Sequence, residues 1–224
     1  LIQNGIKCTR LPGNDRFETS VAIAKQLGSV NKAVLATGSD FPDALSIAPW
    51  AAQNGIPILL TDKDTLPQSV DKYIKDNNIT ETYVIGGKGV ISDECIAMLP
   101  KPKRIHGTDR FETNVSVLKE FDSSFDFSRI YAATGNDFPD ALSGSALASI
   151  TKSPIVLMDE KPLAKTKTFL ETKKDKINDA YIMGGTGAVS DAVIEGTIPP
   201  IVTKLKISTD SSTLALNGKV DRKS

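Results

Sequence analysis

The chain has 224 residues, 40% of them hydrophobic, and its 27 basic residues balance its 27 acidic ones. This size and composition allow one large domain or two ordinary ones with real cores. The charge balance argues against a protein that binds nucleic acid without sequence specificity. No segment approaches the roughly 20 apolar residues of a membrane span. With one histidine and two cysteines, the chain predicts neither a disulfide framework nor a structural zinc site.

The first predicted element is an amphipathic helix that begins at Asp15. Asp15 and Glu18 have the spacing of a capping box, and Asp109 and Glu112 repeat it later in the chain. Apolar residues follow each cap at helical spacing, which indicates one buried helix face. The two stripes are Phe17, Val21, Ala24 and Leu27, and then Phe111, Val115, Leu118 and Phe121.

Three short apolar runs follow each helix and predict buried strands. They lack the alternation of a half-buried strand, so we expect both faces to be covered. Helical segments separate them, which predicts a βαβα series with a parallel sheet and hence an α/β fold of tandem three-layer modules. The runs are residues 33–36, 56–60 and 83–85, and then 130–133, 154–158 and 181–183.

The two series are copies of one module. Residues 15–19 and 109–113 both read Asp-Arg-Phe-Glu-Thr, and 36–46 and 133–143 share Ala-Thr-Gly-x-Asp-Phe-Pro-Asp-Ala-Leu-Ser. A Gly-Gly-x-Gly turn follows the third strand of each copy. We therefore divide the chain into what resembles the tail of a preceding repeat at 1–9, repeat A at 10–103, repeat B at 104–200, and a linker or the start of a β domain at 201–224.

Such a repeated polar set favours repeated binding of a repetitive ligand over one asymmetric catalytic site. His106 is the only histidine, and its counterpart in the first copy is Pro12, so a catalytic triad would rest on a position that the duplication does not keep. Trp50 has Leu147 as its counterpart, and we expect it in a core or between modules. We predict no catalytic residue, metal site or cofactor.

Arg16 and Arg110 are the sharpest binding candidates. Each lies in the first turn of a helix, where the helix dipole disfavours a cation, so another group should compensate. In one interpretation a carboxylate, either Asp15 or an acid of the neighbouring module, clamps the guanidinium and ties modules together. In the other, the guanidinium captures a phosphate or carboxylate of a polymer through two parallel hydrogen bonds.

Two kinds of turn at the ends of strands complete the candidate site. Ligands of open α/β sheets bind beyond the carboxyl ends of strands, near helix N-termini. The Thr-Gly-x-Asp turns also fit helix capping, and the Gly-Gly-x-Gly turns fit either a tight turn with positive φ or a backbone N–H cradle for an anion. The candidate ligand residues are Thr37, Gly38, Asp40, Gly86 and Gly87 in repeat A, and Thr134, Gly135, Asp137, Gly184 and Gly185 in repeat B.

The three motifs in this order resemble the type 2 cell wall binding repeat, a family found in clostridial cell wall proteins and in wall modules of bacillus amidases. The resemblance covers about residues 8–198. It implies modules similar to Toprim or Rossmann-like folds, often three packed around a pseudo-threefold axis. It also implies a secreted Gram-positive surface protein, held noncovalently on the cell wall by an anionic polysaccharide of the teichoic-acid kind, with enzyme activity in a separate domain.

The chain holds two complete repeats where the resemblance implies three. We therefore expect further repeats, in the same chain or in partner copies, to complete the arrangement. The prediction is a noncatalytic wall anchor without a cofactor. Two alternatives stay open, namely a wall-modifying, amidase-associated enzyme region and a self-assembly module of a surface layer.

Overall fold

The computed structural model describes residues 7–200 and the backbone of residues 204–207 and 213–214. It contains two α/β modules in succession. Module A is built on a four-stranded parallel sheet with the strand order β2-β1-β3-β4. Its strands are β1 (Lys32–Thr37), β2 (Ile58–Thr61), β3 (Glu81–Ile85) and β4 (Pro102–Ile105), and its helices are α1 (Arg16–Ala24), α2 (Pro42–Gln53), α3 (Gln68–Asp76) and α4 (Asp93–Ile96).

Module B repeats this topology with the strand order β6-β5-β7-β8, all parallel, and a two-residue β9 (Thr213–Leu214) pairs antiparallel with β8. Single 3₁₀ turns at Lys25–Leu27 and Asp122–Ser124 extend the first helix of each module. The strands are β5 (Arg129–Thr134), β6 (Ile155–Met158), β7 (Asp179–Met183) and β8 (Lys204–Ile207), and the helices are α5 (Arg110–Glu120), α6 (Pro139–Ile150), α7 (Ala164–Glu171) and α8 (Asp191–Thr197).

The last strand of each module comes from the residues that follow its fourth helix. Strand β4 therefore crosses the predicted boundary between repeats at 103 and 104, and β8 lies within the predicted linker or β domain at 201–224. Residues 1–6 of the predicted preceding tail lie outside the described residues, as do 201–203, 208–212 and 215–224. The division into repeats stays a prediction.

Local hydrogen bonds start the first helix of each module where the sequence predicts it. Asp15 Oδ1 accepts from the Glu18 backbone N–H at 2.7 Å, and Asp109 Oδ1 accepts from Glu112 at the same distance. The glutamate reaches back one residue beyond the usual capping box, because Glu18 Oε2 accepts from the Asn14 backbone N–H at 2.9 Å. These bonds satisfy first-turn donors that have no partner within the helix.

Both faces of the central strand β1 are buried, as its continuous apolar run predicts. Leu35 packs in a core with Val21 of α1 and Tyr73 of α3. Val34 points to the other face, where its core includes Trp50 of α2 and continues into module B. Since successive strand residues alternate between faces, one short run serves two cores.

Helix α2 joins the modules by packing against α5 and α6. Trp50 stacks on Phe121 at the end of α5, with ring centroids 3.8 Å apart. Nearby, buried Asn114 of α5 donates a hydrogen bond to Ser46 Oγ of α2 at 3.2 Å. The prediction that Trp50 lies in a core or between modules is confirmed. Within the described part of the chain, no helix has the length and apolarity needed to cross a membrane.

Candidate functional site

A cleft of about 440 Å³ lies between the modules, where the carboxyl ends of module A strands meet the start of module B. This is the edge at which open α/β sheets bind ligands. Module A contributes the loop after β1 and the turn after β3, and module B contributes the segment that leads into α5. The residues that line the cleft include Thr37, Asp40, Asp43, Gly87, Lys88, His106, Asp109 and Arg110.

Arg110 holds three elements together at this cleft. Its Nη1 donates to the Gly135 backbone carbonyl at 2.9 Å, and its Nη2 forms an ion pair with Asp40 Oδ2 at 3.2 Å. The guanidinium also lies 5.9 Å from the ring centroid of Phe41, within cation–π range. Asp40 and Phe41 belong to module A, so the interpretation in which a neighbouring module's acid clamps the arginine is the one that this geometry shows.

Arg16 makes the equivalent contact within its own module but has no such acid. Its Nη1 donates to the Gly38 backbone carbonyl, as Arg110 does to Gly135. Among the described residues no ion pair to Arg16 is present, and the residue is exposed. The two arginines thus share a local role, and only Arg110 also bridges modules.

The Thr-Gly-x-Asp turns have the same internal hydrogen bonds in both modules. Thr37 Oγ1 accepts from the Ser39 backbone N–H at 3.2 Å, and Thr134 does the same with Asn136. Asp40 Oδ1 accepts from the next backbone N–H, that of Phe41, at 2.9 Å, and α2 begins without a side-chain cap. The interpretation of Asp40 as a cap of α2 is therefore wrong, because the N-cap is Phe41 and no side chain caps the helix. The other carboxylate oxygen of Asp40 pairs with Arg110 of module B.

Gly86 is required by its backbone conformation and its surroundings. Its φ is +120°, and a Cβ there would lie 2.6 Å from Asp43 Oδ2. Gly184 has a φ of +95°, and a Cβ there would lie 2.3 Å from Oδ2 of Asp140, the counterpart of Asp43. Gly87 has room for a side chain, because a Cβ added there would lie 3.7 Å from His106 Nδ1. The tight-turn interpretation therefore accounts for Gly86 and Gly184, while Gly87 faces the cleft.

Asp43 is the most perturbed carboxyl group at the cleft. Its side chain is 9% exposed. Burial, the largest cause, and the nearby Asp40 raise its pKa while Arg110 lowers it, and the net result is a pKa of about 6. Near neutral pH this group is therefore close to its titration range, unlike an ordinary surface aspartate.

Acidic side chains outnumber basic ones around the cleft. Asp40, Asp43 and Asp109 line it with Arg110 and Lys88, and Lys88 forms an ion pair with Asp93 at 2.5 Å. Carboxylates accept hydrogen bonds from hydroxyl groups, whereas a guanidinium donates them. The arrangement therefore suits the hydroxyl groups of a sugar better than it suits a bare anion.

The structure gathers part of the predicted site at this cleft. Thr37, Asp40, Gly87 and Arg110 line it, and Gly38 and Gly86 are next in the chain to the lining residues Thr37 and Gly87. The module B set, Thr134, Asp137, Gly184 and Gly185, lies at the corresponding edge of its own sheet, and only Gly135 reaches the junction through Arg110. Asp43 was not among the candidate ligand residues, and its retention as Asp140 in the second copy was the signal that could have found it.

A comparison with protein families finds one family whose model matches the chain twice. The model of cell wall binding domain 2 matches residues 10–96 and 104–194. The chain belongs to the cell wall binding domain 2 family. Modules of this family bind the cell wall, so the chain is a cell wall binding module of a protein associated with the cell surface.

Two curated relatives come from Bacillus subtilis (strain 168). The chain is 34% identical over 198 residues to the N-acetylmuramoyl-L-alanine amidase LytC, and 34% identical over 189 residues to the amidase enhancer. These matches take in 88% and 82% of this chain. The chain spans only 39% of the length of the first relative and 25% of the second.

Two solved structures from Clostridium difficile share the fold. Cwp6 is 27% identical with a TM-score of 0.75, and Cwp8 is 26% identical with a TM-score of 0.76. The match to Cwp6 takes in 90% of this chain and 33% of that one, and the match to Cwp8 takes in 94% and 37%. The α/β fold of repeated modules with parallel sheets is thereby confirmed.

Proposed function

We propose that this chain anchors a secreted protein noncovalently to the Gram-positive wall by binding an anionic secondary polysaccharide, with the cleft between modules as one sugar-binding site. The observation that carries the proposal is the junction itself. Residues retained in both repeats, Asp40 and Arg110 among them, come from two modules to line one open cleft at the ligand-binding edge of the sheet.

Several weak sites along one polymer would hold the protein firmly. When one site is occupied, the next binds the same chain at high effective concentration, so affinity rises by roughly 10²–10⁴ without new contacts. An anchor of this kind needs repeated modules more than it needs one deep pocket.

Sedimentation of the chain with purified Gram-positive wall tests this proposal. We expect binding to wall that retains its secondary polymer, and loss of binding after the polymer is removed with mild acid. Equal binding to stripped wall would contradict a polymer anchor. Sedimentation of the chain at high concentration without wall would favour the self-assembly alternative.

We also propose that the chain packs against further modules of its own kind. Helix α6 exposes Leu142 and Leu147 by 55% and 47%, whereas their counterparts on α2, Leu45 and Trp50, are buried against module B. At the other end, Ile23 of α1 and Leu27 of the 3₁₀ turn that follows it are exposed by 53% and 48%. The counterparts of these two on α5 are Val117 and Phe121, which α2 covers. In the described part of the chain, the residues that correspond to both halves of this interface are therefore exposed.

Cross-linking tests this packing at a defined contact. Because Trp50 stacks on Phe121, Leu147 of one copy should meet Leu27 of the next. With exposed Cys8 replaced by serine, we expect Leu147→Cys with Leu27→Cys to form disulfide-linked oligomers of the isolated chain. Trp50→Cys with Phe121→Cys is the matched control, which should cross-link within one chain. Failure of the first pair when the second succeeds would argue against the packing.

The proposal includes no catalysis by this chain. His106 stands at the cleft but has Pro12 as its counterpart, and its ring Nδ1 lies 3.3 Å from the Gly107 carbonyl. Release of soluble fragments from purified wall by the isolated chain would instead support a wall-modifying enzyme.

A further inference from the structure

A second groove lies beside the cleft, on the surface of module B between α5 and α7. Its volume is about 860 Å³, against about 440 Å³ for the cleft. His106, Gly107 and Thr108 line both cavities, so the two lie side by side and share these residues as a wall. A chain-like ligand that occupies the cleft can therefore continue into this groove.

The groove has an excess of basic side chains, whereas the cleft has an excess of acidic ones. Lys119 and Lys165 are exposed on its walls, and Lys173 lies deeper, with its side chain 13% exposed. Two acids share the groove, and each is already paired: Glu112 with Lys165 and Asp122 with Lys173, both at 2.5 Å. The third lysine leaves an excess of positive charge.

Lys173 is held in place by aromatic rings as well as by its ion pair. Its Nζ lies 5.2 Å from the ring centroid of Phe127 and 5.6 Å from that of Phe169. Phe169 also lines the groove, together with the hydroxyl-bearing residues Ser116 and Thr168. A positioned cation, exposed lysines, hydroxyl groups and an aromatic ring are together suited to a sugar joined through phosphate.

Module A contains the equivalent groove between α1 and α3 without this chemistry. It is smaller, at about 390 Å³. Tyr73 stands where module B has Phe169, but Ser69 stands in place of Lys165 and Asn77 in place of Lys173. Asp76 adds an acid where module B has Thr172. The basic groove thus belongs to one copy, and the other serves as an internal control.

We infer that the α5–α7 groove of module B binds the phosphate-bearing units of the wall polymer, while the adjoining cleft binds its sugar hydroxyl groups. This inference rests on the proposed anchoring function. Glu112 links the two parts, because it pairs with Lys165 in the groove and accepts from the Thr108 backbone N–H at 3.2 Å in the shared wall.

Binding of acid-released wall polymer to two charge-matched variants tests this inference. Lys119→Gln with Lys165→Gln removes two exposed lysines from the groove, and Lys25→Gln with Lys72→Gln removes two from its counterpart in module A. We expect the dissociation constant to rise about fivefold for the first variant, with a weaker dependence on salt, and to stay unchanged for the second.

The outcomes separate this inference from the anchoring proposal. If the wild-type chain binds the polymer and the groove variant binds equally well, the groove assignment is overturned and the anchor stands. Equal weakening by both variants would also overturn it, because general charge would then explain the effect. If the wild-type chain does not bind the polymer, both proposals fall.

Discussion

The two modules begin with the same five residues, but only the start of module B has a module in front of it within the described chain. Arg110 there spans from the Gly135 carbonyl to Asp40 of module A, whereas Arg16 contacts only the Gly38 carbonyl of its own module. The same contrast holds for α2, whose Leu45 and Trp50 are buried, and for α6, whose counterparts Leu142 and Leu147 are exposed. Identical sequence therefore fixes local contacts, and the neighbour decides which residues become an interface.

The largest expected effect comes from Trp50, which fills the covered interface. Its side chain is 6% exposed and stacks on Phe121, so Trp50→Ala should lower the free energy of unfolding by about 4 kcal/mol. Leu147→Ala, at the equivalent open position, should change it by no more than about 0.5 kcal/mol. Urea denaturation of the two variants measures both. Similar losses would show that α6 is covered as α2 is.

The next effect concerns pH at the junction. The folded pKa of Asp43, about 6, lies above its ordinary value of 3.8, so the folded state favours the protonated form. Asp43 therefore does not lower the free energy of unfolding below about pH 4. As the pH rises through 6, it lowers that free energy by up to about 3 kcal/mol. Asp43→Asn should remove this loss of stability between pH 4 and 7.

Urea titrations of wild type and Asp43→Asn across that range test the sign as well as the size. The m value should stay constant, since the fold does not change. If the wild type gained stability relative to Asp43→Asn between pH 4 and 7, that result would contradict a raised pKa of Asp43.

A smaller effect is expected at the turn that Asp43 contacts. Gly86→Ala places a Cβ at positive φ and against the Asp43 carboxyl group, which should cost about 2 kcal/mol. Gly87→Ala, one residue on, meets no such contact and should cost at most about 0.5 kcal/mol. Thermal unfolding of the two variants shows which of the two glycines the turn needs for its structure. Loss of wall binding by Gly87→Ala at unchanged stability would assign Gly87 to the ligand.

The smallest effect sharpens the comparison of the two arginines. Arg110→Gln removes a half-exposed ion pair and a hydrogen bond, so we expect a loss of about 1 kcal/mol, while Arg16→Gln should have little effect. A double-mutant cycle of Arg110→Gln with Asp40→Asn isolates the bridge between modules. A coupling energy of zero would mean that the pair adds no stability and leaves Arg110 free for ligand.

Whether a feature of this protein can be predicted from the sequence depends on how far apart in the chain its interacting residues lie. The caps at Asp15 and Asp109 and the buried strands were predicted from neighbouring residues, and they are confirmed because capping bonds and strand burial follow from local spacing. The interpretation of Asp40 as a cap of α2 was wrong, because this carboxylate pairs with Arg110 of module B. Its partner Arg110 is distant in the chain, and no local pattern shows which module will lie beside it.

The amino-acid sequence by itself determined the α/β repeat, the family and the polar set common to both copies. Only the tertiary structure decided which copy of that set lies at a junction between modules and that Trp50 is buried where its counterpart Leu147 is exposed. It also decided that the lysines of module B line a groove next to the cleft. The physical reason is that helix caps, turns and apolar periods depend on residues within a few positions. Clefts and ion pairs between modules depend on where whole helices pack.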